Sequence, residues 1–233
     1  MQVLNSATLS ICLICVMFAV RKRHQNHKVN ISFAAMMACI GLLVAELLFI
    51  NLDYRKVTIQ WFWISGWATV CVPAWFYLYF SASLRLESQF QLRDFIHFIP
   101  SFIFLLLSLP YALLPFDQKR EISQILMEGG QLNGLMHLVP MREERMGLVA
   151  ILTAFYLPLC WHELHSEMSH KKRDVLRQIK PLRWVIVIFA MIFAFAFMIF
   201  MVKLPFSYNW VISYMLVPVV LGFAYLYWRL PQW

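Results

Sequence analysis

Seven long runs of apolar residues restrict how this chain folds more than any other feature of its sequence. Each run is about 20 residues long, the length at which a helix crosses the hydrocarbon core of a bilayer. A backbone exposed to lipid has to satisfy its own hydrogen bonds, so these runs predict helices. Strands of a membrane barrel alternate apolar and polar residues, whereas the run from Trp184 to Met201 is apolar on every face. The sequence therefore predicts an all-α, multi-pass transmembrane bundle of seven helices near residues 3–20, 29–50, 61–84, 95–115, 147–164, 184–203 and 206–228.

The composition favours one membrane domain over residues 1–233. The chain is 61% hydrophobic and 14% charged, and a soluble domain of this length needs more polar surface to cover its core. The first run is followed, not preceded, by the basic residues Arg21, Lys22 and Arg23, and no small-residue cleavage site appears. We therefore expect a retained helix and not a signal peptide.

The distribution of lysine and arginine predicts the orientation, because cytoplasmic connections carry an excess of these residues. The connections on one side contain 13 of them: Arg21, Lys22, Arg23, Lys28, Arg85, Arg93, Lys171, Lys172, Arg173, Arg177, Lys180, Arg183 and Arg229. The other side contains 7: Arg55, Lys56, Lys119, Arg120, Arg142, Arg145 and Lys203. We therefore expect the N-terminus outside and the C-terminus in the cytoplasm. The net charge of +8 then faces anionic lipid head groups. Binding of nucleic acid is not expected, because the charges are divided among several short connections.

Glu46 is the carboxylate that lies in the middle of a predicted helix. An ionisable residue at membrane depth is costly and usually faces the bundle interior or a wet cavity. We therefore predict a functional role for it. The alternative is a structural glutamate that is protonated, hydrogen-bonded or close enough to the outer interface to be hydrated.

Aromatic residues are concentrated in the third run. Those at its ends suit the aromatic belts of membrane interfaces, and those near Pro73 could line a pocket for an apolar or aromatic ligand. Packing is the structural alternative. The predicted ligand-binding residues are Glu46, Trp67, Trp75, Tyr79, Tyr208 and Tyr214.

Two further clusters have structural interpretations that we favour. His162 and His165 lie one helical turn apart and could face one metal ion. They lack the His-Glu-x-x-His spacing of metalloproteases, and they lie where a helix is expected to meet cytoplasmic water. Cys12 and Cys15 form a C-x-x-C pair within an apolar run, where small packing residues are expected. The odd count of five cysteines argues against a disulfide framework. We expect no bound metal.

The connection 116–146 is the long loop of the chain and is predicted to be external. Between Glu121 and His137 its apolar residues have broadly helical spacing, broken at Gly129 and Gly130. This spacing indicates one or two short interfacial helices over the outer mouth of the bundle. They would act either as a lid over a ligand pocket or as a passive surface segment.

The junction of the third and fourth runs contains two distinctive segments, Pro73 to Tyr79 and Arg93 to Pro100. They have the forms Pro-x-x-x-Tyr-x-Tyr and Arg-Asp-x-x-His-Phe-x-Pro. This pattern resembles the membrane half of bacterial membrane-anchored AraC-type transcriptional regulators. The resemblance implies a seven-helix sensor attached to a cytoplasmic helix-turn-helix domain. In any protein, Asp94 would also be placed to cap a helix that begins at Phe95.

The last predicted helix is followed within a few residues by Trp233, and no DNA-binding segment is present. The chain is thus expected to be either the membrane half of a longer regulator or a stand-alone relative that acts through a partner. Expected partners are the lipid bilayer, a small ligand, and a cytoplasmic regulatory partner, a missing DNA-binding domain or a second copy of the chain.

Two classes of function follow from these predictions. The first is a sensor or regulatory module in the inner membrane, which binds a membrane or external ligand and signals to a cytoplasmic partner. The second is a transporter of small solutes or ions that uses Glu46 as its coupling carboxylate. The chain has no phosphate-binding loop and no serine nucleophile elbow, so we predict neither an enzyme nor a cofactor.

Overall fold

The computed structural model of the chain describes residues 2–22, 26–52, 54–85, 89–127, 142–170, 182–202 and 209–229. These residues form α-helices with one 3₁₀ helix, Leu92–Phe98, and no strand occurs among them. The α-helices are α1 (Gln2–Arg21), α2 (His27–Asn51), α3 (Arg55–Arg85), α4 (Ile99–Ala112), α5 (Phe116–Met127), α6 (Arg142–His170), α7 (Leu182–Val202) and α8 (Asn209–Arg229).

The all-helical prediction is confirmed for the described residues. Four helical segments are long and apolar enough to cross a membrane: Gln2–Arg21, His27–Asn51, Leu92–Ala112 and Glu144–Glu167. Helices α7 and α8 contain the shorter apolar stretches Leu182–Ile192 and Ile212–Trp228. The count of seven crossings and the orientation stay predictions.

Contacts between helix ends fix the relative directions of the helices. Four such contacts join Gln2 to Asn51, Tyr111 to Ile59, Arg85 to Glu163, and Phe18 to Trp228. Phe49 near the end of α2 also packs edge-on against Trp61 near the start of α3. Helices α1, α3, α6 and α8 therefore run in one direction, and α2 and α4 run in the other. We call the two ends of the bundle the Glu46 end, where α2 finishes, and the Glu163 end, where α3 and α6 finish.

Helix α3 lies at the centre of the packing, in contact with α2, α4 and α6. Its Phe76 is fully buried and stacks on Phe189 of α7, with ring centroids 3.6 Å apart. Near the Glu163 end, Phe33 of α2 stacks on Tyr227 of α8 with centroids 4.0 Å apart. These aromatic pairs bring helices that are distant in the sequence into one core.

The segment before α4 explains how that helix begins. Asp94 lies inside the 3₁₀ helix, and its Oδ2 accepts a hydrogen bond of 2.8 Å from the backbone N–H of Gln91. Asp94 is the third residue of this 3₁₀ helix, and its side chain binds the backbone of Gln91, the residue that precedes the helix. Asp94 was expected to cap a helix starting at Phe95, but the helix starts at Leu92, and α4 continues from it through Ala112.

Replacing Phe189 by alanine tests whether the aromatic stack stabilises the bundle. The side chain loses roughly 100 Å³, and at about 24 cal/mol per Å³ of cavity the free energy of unfolding should fall by about 2 kcal/mol. Thermal unfolding in detergent micelles measures the change. Phe102→Ala is the matched control, because Phe102 is 58% exposed on α4. An equal loss in both variants would contradict a stabilising role for the stack.

Candidate functional site

A buried ion pair joins α2 and α6 at the Glu46 end. Nη1 of Arg145 lies 3.3 Å from Oε2 of Glu46, and both side chains are 4% exposed. The guanidinium carbon of Arg145 also lies 5.3 Å from the centroid of the Phe62 ring on α3. We call Glu46, Arg145 and Phe62 the Glu46 cluster. Because both side chains are buried, each charge compensates the other, and removing either residue would leave its partner's charge without compensation.

The start of α6 explains the position of Arg145. The sequence predicted a helix from residue 147, with Arg145 in the preceding loop, but α6 begins at Arg142. The added turn carries Arg145 into the bundle, where its side chain reaches α2. Glu46 is five residues from the end of α2, or about 7.5 Å along the axis, so the pair lies near one end of the bundle.

A small cleft adjoins this ion pair, between α3, α4 and the start of α6. Its walls are mainly aromatic, and the volume open to the centre of a water molecule is about 10 Å³, which is space for about one water. Two of its polar side chains donate elsewhere: Ser108 donates to the carbonyl of Phe104, and Tyr111 donates to the carbonyl of Ile59. Nε of Arg145 is buried and has no hydrogen-bond partner among the described residues.

A second polar cluster lies at the Glu163 end, between α3, the 3₁₀ helix and α6. Oε1 of Glu163 accepts hydrogen bonds of 2.8 Å from the hydroxyl of Tyr77 and from Nη2 of Arg85. Nδ1 of His97 lies 3.1 Å from the hydroxyl of Tyr156, whose ring stacks on Tyr77. We call these five residues the Glu163 cluster. It connects α6 to α3 as the Glu46 cluster connects α6 to α2.

A third ion pair attaches the 3₁₀ helix to α2. Nζ of Lys28 lies 2.8 Å from Oδ2 of Asp94, and the side chains are 1% and 8% exposed. Lys28 and Arg145 were each counted as loop charges, one on each predicted side, and both are buried. If both are left out of the count, each side loses one basic residue. The same side keeps the majority, and the predicted orientation does not change.

The predicted ligand-binding residues do not form one site. Tyr79 is buried against Phe33, and Phe33 precedes Glu46 by 13 residues on α2, about 20 Å along the axis. Trp75 packs against Phe98, whereas Trp67 and Tyr214 are exposed. Tyr208 lies outside the described residues. Ligand binding by these residues stays a prediction.

The histidine pair and the cysteines singled out in the sequence have no contacts in the described part of the structure that indicate a metal site or a disulfide. His162 and His165 are exposed, and no group of three potential metal ligands occurs among the residues that the structure describes. All five cysteines are free, and Cys12 and Cys15 are buried.

In the connection 116–146, helix α5 begins earlier than the predicted segment, and Lys119 donates to the carbonyl of Ala112 at the end of α4. Residues 128–141, with Gly129 and Gly130, lie outside the described part.

Sequence reasoning missed Arg145, Lys28 and Tyr156 as members of buried clusters. One signal could have indicated Arg145. A glutamate inside a bilayer needs a cation, and Arg145 lies just before a predicted helix on the side where Glu46 lies. Nothing local predicts Tyr156, because a tyrosine in an apolar run equally suits packing.

No protein-family model, curated protein or solved structure gives a significant match to this chain. The resemblance to AraC-type regulators therefore stays a prediction from two short segments. Any function has to be argued from the buried clusters themselves.

Replacing Glu46 by glutamine tests the ion pair. The substitution leaves Arg145 buried without a counter-charge, so we expect the free energy of unfolding to fall by about 3 kcal/mol or more. Chemical unfolding in mixed micelles measures the change. Glu121→Gln is the control: Glu121 is exposed on α5, and its loss should change stability by less than about 0.5 kcal/mol.

A double variant separates charge from packing. Glu46→Leu combined with Arg145→Met removes both charges together, and we expect stability close to that of the unaltered protein. If the double variant is as unstable as Glu46→Gln, the ion pair is not the cause of the loss.

Proposed function

We propose that this chain is a sensor or regulatory module that crosses the bacterial inner membrane seven times. In this proposal a ligand acts at the Glu46 end, and a cytoplasmic partner or output domain responds at the Glu163 end. The proposal rests on one observation: α6 has a buried or half-buried polar cluster near each of its ends.

The spacing of the two clusters supports a relay through α6. Eighteen residues separate Arg145 from Glu163, or about 27 Å along the helix axis, which is close to the thickness of a hydrocarbon core. The helix between them packs through the buried residues Val149 and Tyr156, and in this proposal it transmits a displacement from one end to the other. A ligand that changes the contacts of Arg145 would therefore bias the contacts of Glu163.

The polar contacts themselves support a two-state element. The distance of 3.3 Å between Arg145 and Glu46 is longer than the 2.7–2.9 Å usual for charge-assisted hydrogen bonds. At the other end, Oε2 of Glu163 is buried and has no hydrogen-bond partner among the described residues. In this proposal, another arrangement of α6 uses the hydrogen-bonding capacity that this one leaves unused at both ends.

The transporter alternative is less well supported, because Glu46 already has a cationic partner. A carboxylate that couples the movement of protons or cations has to exchange those ions during its cycle. Arg145 neutralises Glu46 at 3.3 Å and would have to leave before a cation binds.

A double-mutant cycle tests the relay. We expect Glu46→Gln and Tyr77→Phe to be non-additive in unfolding free energy by about 1 kcal/mol, although distant sites normally add to within about 0.5 kcal/mol. A matched cycle with Glu121→Gln in place of Glu46→Gln should be additive. Additivity in both cycles would rule out coupling through α6.

Reconstituted flux gives the outcome that would favour transport. If proteoliposomes take up protons or a cation, and Glu46→Gln but not Glu121→Gln abolishes that uptake, the sensor proposal is wrong.

A reporter fused after Trp233 tests the orientation. The excess of Lys and Arg in the connections at the Glu163 end predicts that the C-terminus is cytoplasmic. A periplasmic phosphatase fused there should be inactive, and a fluorescent protein that folds in the cytoplasm should be bright. High phosphatase activity would contradict either the orientation or the count of seven crossings.

A further inference from the structure

We infer that the cleft beside Arg145 is a binding site for an amphiphilic carboxylate, an anion with a planar head and an apolar tail. This inference rests on the proposed function and names the class of ligand that acts at the Glu46 end. It depends on the chemistry of Arg145, the walls of the cleft and the position of Gly66.

The guanidinium of Arg145 has an unused donor. Its contact with Glu46 is made through Nη1, and its buried Nε has no hydrogen-bond partner among the described residues. Arg145 as a whole is 3% exposed, so bulk solvent does not reach this donor. The edge formed by Nε and Nη2 is the one that holds a carboxylate through two parallel hydrogen bonds. A planar carboxylate fits this unused edge.

The surroundings of Arg145 select an apolar tail. The cleft is lined mainly by aromatic rings, including Phe62, Trp63 and Phe104. Its other polar side chains, Ser108 and Tyr111, donate to backbone carbonyls and are not competing donors. A site with apolar walls and one charged group recognises a ligand with one charged head.

Trp67 extends the apolar surface next to the cleft. Trp63 and Trp67 are four residues apart on α3, so they are neighbours on one helix face. Trp67 is 38% exposed, and its neighbour on that face, Trp63, lines the cleft. An alkyl chain leaving the cleft would lie against this exposed ring. Trp67 is one of the residues predicted from the sequence to bind a ligand, and the inference gives it a contact with the alkyl chain.

The size of the cleft and the position of Gly66 favour a slim, planar head. The space open to the centre of a water molecule is about 10 Å³, so a carboxylate can enter only if a neighbouring ring moves. A methyl group at residue 66 would lie 3.3 Å from Cε1 of Phe104 and 3.6 Å from Cδ of Arg145. Glycine therefore leaves open the space next to the guanidinium that a side chain would fill.

Binding of radiolabelled decanoate to the full chain tests the inference. The protein is reconstituted in phosphatidylcholine nanodiscs at neutral pH, and retention by empty nanodiscs is subtracted. We expect saturable binding that excess decanoate competes away and that excess decanol does not. Equal competition by decanol, or equal binding of decyl phosphate, overturns the assignment to carboxylates.

Two variants locate the site. Gly66→Ala should weaken binding about tenfold, the effect of losing one charge-assisted contact, whereas Gly41→Ala, at the α1–α2 contact, should leave binding unchanged. The double variant Glu46→Leu with Arg145→Met keeps the fold without the buried charges and should bind no decanoate. Undiminished binding by that double variant overturns the site.

The outcomes also separate this inference from the relay. Saturable binding that depends on Gly66, together with an additive cycle between Glu46 and Tyr77, supports the site and contradicts the relay. A coupled cycle without saturable decanoate binding supports the relay and contradicts the carboxylate site.

Discussion

A charge that is removed from water has to be compensated where it lies, and this constraint determines how the helices of the bundle are connected. The described residues include two ion pairs with both side chains buried, Glu46 with Arg145 and Lys28 with Asp94. A third pair joins Glu163 to Arg85, whose side chain is 39% exposed. Each joins two different elements, and the partners of two pairs are 99 and 78 residues apart. Apolar packing in a membrane is weakly directional, because lipid tails are as apolar as the helix surfaces. The ion pairs, in contrast, are directional and favour specific contacts between helix ends.

Helix α6 connects these constraints with the proposed function. At one end Arg145 contacts α2 and the Phe62 ring of α3, and near the other end Glu163 contacts two residues of α3. Leaving a buried charge without its partner costs about 3–5 kcal/mol, so one end cannot change alone without a compensating contact. A ligand carboxylate at Arg145 would provide such a contact. In the proposed function, the same physics that stabilises the bundle would couple it to the binding of an anion.

The sequence allowed a large part of the fold to be predicted, and much less of the site. Apolar runs of membrane length predicted helices correctly, because a backbone in lipid has few other conformations. Glu46 was identified as exceptional from its position alone. Its partner was missed, because Arg145 precedes the apolar run and resembles any loop cation. Lys28 was missed for the same reason. The sequence could not distinguish aromatic residues that pack in the core from those that would bind a ligand, since both roles favour the same side chains at the same depth.

By itself, the sequence of this protein determined that the chain is helical, that several helices suit a bilayer, and that one of them contains a carboxylate in the middle of its apolar run. Those properties depend on local composition and on the length of each apolar run. Only the tertiary structure decided that Arg145 neutralises Glu46, that Tyr77 and Arg85 bind Glu163, and that a donor of Arg145 faces an aromatic cleft. These depend on contacts between residues that lie far apart in the chain, where the free energy of burying a charge selects the partner. No local pattern encodes that selection.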